Sequence, residues 1–223
     1  MCFSPFASFT ATAGLSLLSL ISFRISQTRE QKLLATVPLV FAIQQAIEGM
    51  IWLNAGQQHI ITSMPLVYAF LFFAFLWWPT FIPLATMWSE KMSVAPSREA
   101  HAVQLVQLLC SISGVITALF LAHGLFSKTT QAVIENHHIV YNTPWMPTWA
   151  YATYILATII PLLISRMRYV WMLGLAAAAS LAYSNHLYTN YTVSVWCFFA
   201  AVLSGIIIII IYLQNKKENP YSR

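Results

Sequence analysis

Apolar runs long enough to cross a lipid bilayer follow one another along nearly the whole sequence, and they constrain it more than any other feature. They lie near residues 5–23, 33–54, 64–88, 102–123, 148–165, 169–186 and 192–213. A hydrocarbon core of about 30 Å takes roughly 20 helical residues. A segment that crosses it alone must satisfy its backbone hydrogen bonds internally, so helix is the only choice. The expected fold is all-α, a polytopic membrane protein with seven transmembrane helices in a single domain, 1–223. The fifth and sixth runs are short and their limits are the loosest. Charged residues make up 8% of the chain, against roughly 25% in a soluble domain, which leaves little for anything outside the bundle.

Basic residues set the expected orientation. With the N-terminus outside, the inner segments hold Arg24, Arg29, Lys32, Lys91, Arg98, Arg166, Arg168, Lys216, Lys217 and Arg223, and the outer segments hold only Lys128. This is the positive-inside pattern, and it puts the C-terminus in the cytoplasm. The net charge of +5 then belongs to topology, and no nucleic-acid partner is expected. No positive n-region precedes the first run, so no secretory signal peptide is expected. Trp52, Trp88, Trp149, Trp171 and Tyr212 fall near run ends, where aromatic belts form. The longest outer segment, 124–147, contains "VIENHHIVYNTPWMP" and reads as a solvated connector or a lid. Every lysine falls in a loop or tail, which excludes a retinal Schiff base. Aspartate is absent, which excludes paired-aspartate chemistry, and three cysteines are too few for a disulfide framework.

Against this background residues 44–52, "QQAIEGMIW", stand out. Gln44, Glu48 and Trp52 recur at i, i+4 and i+8, with Gln45 three residues before Glu48, so the four share one helix face. At 1.5 Å per residue, Glu48 sits about 9 Å inside the outer end of its span. A carboxylate there costs a few kcal/mol against lipid, so the face is expected to point into the bundle. Glu48 is the candidate catalytic residue or proton carrier; structural glue between helices is the plainer alternative. Other polar groups reach the same outer level. Gln44, Gln45, Tyr183, Asn185, Cys197 and Cys2 are the candidate ligand-binding residues. His123, His186 and His138 are the candidate metal ligands, with His59 and His137 also on the outer side.

Imidazole with a carboxylate suits zinc or a related first-row ion. No H-E-x-x-H or C-x-x-C spacing is present, so only tertiary structure could assemble such a site. The concrete form is a zinc-bound water with Glu48 as general base, in a membrane-embedded hydrolase taking a small polar or lipid ligand from the outer side. One alternative is a proton-coupled carrier, against which the inner half shows no matching ionisable residue. Another is a structural or partner-binding subunit.

Small and hydroxyl residues form stripes that allow close helix approach. They run through Ser4, Ser8, Thr12, Ser16 and Ser19, through Gln104, Gln107, Ser111 and Gly114, and through Ser194, Cys197, Ala201 and Ser204. Pro79, Pro83 and Pro161 are expected to kink their helices. The run "GIIIIII" reads as lipid-facing.

Four stretches, "MCFSPFASF", "QQAIEGMIW", "HHIVYN" and "SVWCFFAA", together resemble a family of small bacterial seven-helix membrane proteins of unknown function. The resemblance covers nearly the whole chain. It implies a multi-pass protein of the bacterial inner (plasma) membrane and supplies no reaction. The matching positions are Cys2, Ser4, Gln45, Glu48, His138, Tyr141, Trp196 and Cys197, all on the outer side by the charge-derived topology. The span count and orientation also resemble the seven-helix zinc amidohydrolases that include alkaline ceramidases. Their zinc site resembles three histidines with a serine and an aspartate, and this chain has no aspartate, so the likeness is architectural.

Overall fold

The structure is a computed structural model that describes residues 4–55, 64–93, 97–128, 130–143 and 146–218. Helix α1 (Pro5–Ile25) begins at Ser4, whose hydroxyl accepts from the Ala7 N–H, with proline at the first helical position. Helix α2 (Arg29–Leu53) opens on a capping box between Thr28 and Gln31. Helix α3 (Met64–Leu71) runs through a π-helical stretch, Phe72–Trp77, into α4 (Trp78–Ser93). Helix α5 (Arg98–Ser127) is capped by Ser97. A hairpin of β1 (Gln131–Glu135) and β2 (His138–Asn142) follows, then α6 (Thr148–Leu163), α7 (Trp171–Leu187), α8 (Thr192–Leu203) and α9 (Ile206–Glu218).

Among the described residues five helices are long and apolar enough to cross a membrane: Pro5–Ile25, Arg29–Leu53, Met64–Lys91, Arg98–Ser127 and Thr192–Lys216. Their number is compatible with a multi-pass membrane protein. Helices α6 and α7 have 16 and 17 residues, short of the expected 148–165 and 169–186. The carboxylate of Glu90 causes the shortening. It draws the Ser165 hydroxyl and the Arg166 and Met167 N–H groups out of helical register. Tyr169 then reverses the chain at φ 67°, a left-handed conformation uncommon for a tyrosine.

Hydrogen bonds tie the connections into two ends. At the basic end Gln31 donates to Gln214 and Asn215, Asn215 donates to the Ile25 carbonyl, Gln214 to that of Arg168, and Arg166 to Ser97. The opposite end carries the β-hairpin.

Proline chemistry shapes the third rod. The Trp78 N–H bonds the Phe73 carbonyl, five residues back. Pro79 has no N–H with which to continue that register, which leaves the Ala74 carbonyl without a helical donor. The Tyr154 hydroxyl of α6 donates to it instead. Tyr154→Phe is therefore expected to lower unfolding stability by about 1–3 kcal/mol, since a buried carbonyl loses its partner. Denaturant titration in detergent, read by tryptophan fluorescence, checks this; an unchanged midpoint would reject the account.

The small-residue stripes mark packing faces. Ser8 and Ser19 on α1, Gln107, Ser111 and Gly114 on α5, and Ser194, Cys197, Ala201 and Ser204 on α8–α9 are buried. The isoleucine run corrects its expectation. Ile207, Ile210 and Ile211 are fully buried against Leu34, Met167 and Val170, while Ile209 faces outward. Six identical residues carry no periodicity, so the inward face of that helix left no trace in the sequence.

The segment that follows α5 is more than a connector. Helix α5 extends to Ser127, one turn past the expected 123. The hairpin turns on Asn136 (φ 49°) and His137 (φ 60°) with Glu135 opposite His138, the two positive φ angles of a type I′ turn. Tyr141 stacks on Phe70 at 4.7 Å, and Ile139 is fully buried. His138 stacks on Tyr191 at 4.4 Å, and its Nδ1 donates to the Asn136 carbonyl. The hairpin thus closes that end of the bundle.

Burial pushes the His138 imidazole below its ordinary value; the bond to Asn136 opposes the shift and neighbouring His137 adds to it. The native state therefore favours neutral imidazole, and the unfolded chain binds more protons as pH falls below about 6.5. The stabilisation is complete above that pH and is lost on descending towards the lower folded value. Hairpin amides are expected to exchange faster relative to α5 on acidification from about pH 7 to about pH 5, after correction for intrinsic rates. His138→Gln should remove the difference, and an equal pH response in the variant would overturn the assignment.

Candidate functional site

Helix α2 carries the centre of the site because its spacing stacks Gln44 and Glu48 one turn apart, with Gln45 reaching the same carboxylate. Glu48 is 0% exposed. Its Oε1 accepts from Ser194 Oγ of α8 at 2.6 Å, and its Oε2 accepts from Gln45 Nε2 at 3.2 Å. Gln44 Oε1 accepts from Trp78 Nε1 of α4 at 2.8 Å, and the Trp78 ring stacks on Phe41 at 4.0 Å. Three helices are therefore joined through two adjacent turns of α2. The Gln44 amide nitrogen lies beside the Cys197 thiol of α8.

A cavity of about 100 Å³ lies next to this cluster. It occupies the centre of a ring in which α2 packs on α4, α4 on α6, α6 on α7, α7 on α8 and α8 on α2. Trp78, Tyr154, Trp196 and Cys197 bound it towards the hairpin end, and Ser89 and Met167 bound it towards the basic end. No charged side chain lines it. The hydroxyls of Thr86, Thr158 and Ser204 turn back onto carbonyls of their own helices, so they present carbon to the space. The lining of this cavity is mainly apolar, and Gln44, Gln45 and Glu48 are not among the residues that form it.

The structure brings together Glu48, Gln44, Gln45 and Cys197 among the expected site residues and leaves the others apart. Tyr183 is 49% exposed, against Tyr188 and Phe199. Asn185 is exposed, donating to the Tyr151 hydroxyl and accepting from Thr192. His186 is exposed near the end of α7, and His123 is exposed beside Ser127. His138 belongs to the hairpin. Cys2 and His59 lie outside the described residues.

Among the described residues no three His, Cys, Asp or Glu side chains converge to hold a metal ion. The described residues therefore give the expected metal set no support. His123 and His186 are exposed on two different helices, and His138 lies on a strand.

Sequence reasoning missed three contributors. Ser194 was read as packing, though it donates to Glu48. Tyr154 was not considered. Glu90, placed by the sequence beyond its run, is 1% exposed, so the basic half does hold a buried carboxylate. Its spacing of four from Thr86 and seven from Pro83 was the available signal.

The sequence pattern of a family described as a "Family of unknown function (DUF6629)" matches residues 1–222. No curated protein and no solved structure matches the chain.

Proposed function

The chain belongs to that family, and for it we propose a membrane protein that binds a hydrophobic ligand inside its helix ring. The reading includes seven spans, with α6 and α7 as short crossings, the hairpin end outside and the basic end in the cytoplasm. The supporting observation is the apolar cavity bounded by Trp78, Tyr154, Cys197 and Met167. At about 24 cal/mol per Å³, an empty cavity of that size costs on the order of 2 kcal/mol, which a hydrocarbon occupant would recover.

Mass spectrometry of organic extracts from the purified protein tests the reading. A lipid-like molecule is expected to be retained near stoichiometrically. Ala200→Leu, which grows a side chain from the cavity wall, is expected to displace it and to stabilise the ligand-free protein by about 1–2 kcal/mol. Retention no greater than in a detergent control, with no stabilisation by added hydrocarbon, would overturn the reading.

A proton-coupled carrier is the second reading, favoured by a cavity that lies between buried Glu48 and buried Glu90. Two backbone N–H groups and a hydroxyl hold Glu90 in place, which suits a fixed structural acceptor better than a group that moves between two sides. Loss of proton-linked uptake in Glu48→Gln vesicles, with the protein folded, would move this reading ahead.

A further inference from the structure

The cavity is long for its volume. On α4 its lining runs from Trp78 to Ser89, about 16 Å at 1.5 Å of rise per residue. On α8 and the start of α9 it runs from Trp196 to Ile207, an equal number of residues. Its volume is about 100 Å³. Spread over that length, this leaves about 6 Å² of section for the centre of a water-sized sphere, and adding the sphere's radius of about 1.4 Å gives a bore of about 5–6 Å.

One carbon chain, about 4 Å thick at van der Waals contact, fits such a bore. A ringed or multiply branched skeleton is wider and would have to push helices apart, which a close-packed interior resists. Large side chains enter from four helices, among them Phe41, Phe81, Leu162 and Leu173. With C–C bonds of about 1.5 Å laid in zigzag, about 12–13 carbons cover the length.

The two ends differ. At the hairpin end Trp78 is held by Gln44, Trp196 by the Ala177 carbonyl and Tyr154 by the Ala74 carbonyl. The Tyr154 and Trp196 rings pack edge to face at 5.7 Å. Tyr154 and Cys197 belong to a core that includes the fully buried Ile51, Phe70 and Leu121, so this end is sealed. At the basic end Leu33 is only half-buried, and Met167 has an unbranched side chain with three rotatable bonds. The lining holds no Lys, Arg or His, so a charged head gains nothing by entering.

We propose that the cavity holds one unbranched hydrocarbon chain, inserted tail first from the basic end. Its methyl end lies against Trp78 and Trp196, and any polar head stays outside beside Met167. This rests on the hydrophobic-ligand reading above and adds the shape and direction of the occupant.

Retention of three hydrocarbons of equal carbon number by the detergent-purified wild type tests the shape. They are dodecane, isododecane and bicyclohexyl, each measured against its own partition into protein-free micelles. Dodecane is expected to be retained about tenfold better than either of the others. Direction is read with brominated laurate, since bromine quenches indole fluorescence on contact. Bromine at the methyl end should quench more than bromine beside the carboxylate, and the difference should shrink in Trp196→Phe.

Equal retention of the three hydrocarbons would overturn the chain shape and leave the hydrophobic cavity standing. Equal or stronger quenching by the carboxylate-side bromine would overturn the direction. Retention of no probe above its micelle control would overturn both this proposal and the reading beneath it. The wild-type measurements decide even where Trp196→Phe does not fold.

Discussion

Gly114→Ala is expected to cost at least about 3 kcal/mol and to remove most of the folded protein. A Cβ at Gly114 would stand 1.9 Å from the Pro79 carbonyl oxygen, 2.9 Å from the Pro79 carbonyl carbon and 3.2 Å from Ala157 Cβ. Two of these three atoms are backbone and cannot rotate aside. Relief requires α5 to withdraw from α4, which pulls it off Ala157 as well. The Pro79 segment is already fixed by the π stretch and by Tyr154, so it cannot yield in turn.

Gly49→Ala provides the contrast. Its added Cβ meets only the Phe9 ring, at 2.8 Å, and that ring can swing towards the outer surface. Thermal unfolding in detergent, with yield of monodisperse protein, should separate the two. A Gly114→Ala melting point matching the wild type would mean that the α4–α5 contact is looser than described.

Glu48→Ala comes second in expected effect, at about 3–5 kcal/mol. The change leaves the Ser194 hydroxyl and the Gln45 amide buried without their acceptor and opens a void between α2 and α8. Glu48→Gln keeps the volume and still offers an oxygen to Ser194, so its cost should stay below about 1.5 kcal/mol. Ser194→Ala alone should be mild, and combined with Glu48→Ala it should add little, because the shared bond is already gone. A double-mutant cycle is expected to give at least about 1 kcal/mol of coupling. Strict additivity of the two changes would show that the bond carries no stability.

Much of this arrangement was legible in the sequence, for identifiable reasons. The inward face of Gln44, Gln45 and Glu48 followed from helical spacing and from the cost of a carboxylate in lipid. The stripe Gln107, Ser111, Gly114 marked a contact that the α4 backbone occupies. What the sequence withheld was direction and pairing. Ser194 lies 146 residues from Glu48, and no local pattern links them. His123 and His186 are exposed on two separate helices. The hairpin hid behind the polarity of "ENHH", since a turn built on Asn136 and His137 lacks the glycine that usually announces a type I′ geometry. Glu90 was read as loop because hydropathy falls before the helix ends.

The hydrogen bonds from α2 also bear on biogenesis. Helices α1 and α2 leave the ribosome before α8 and α9, so Glu48 waits for Ser194 and the Gln31 amide waits for Gln214 and Asn215. Until α8 and α9 are made, the Glu48 carboxyl group and the Gln31 amide are without those partners. Nascent chains stalled before Thr192 should therefore be degraded more readily than chains that include α8 and α9.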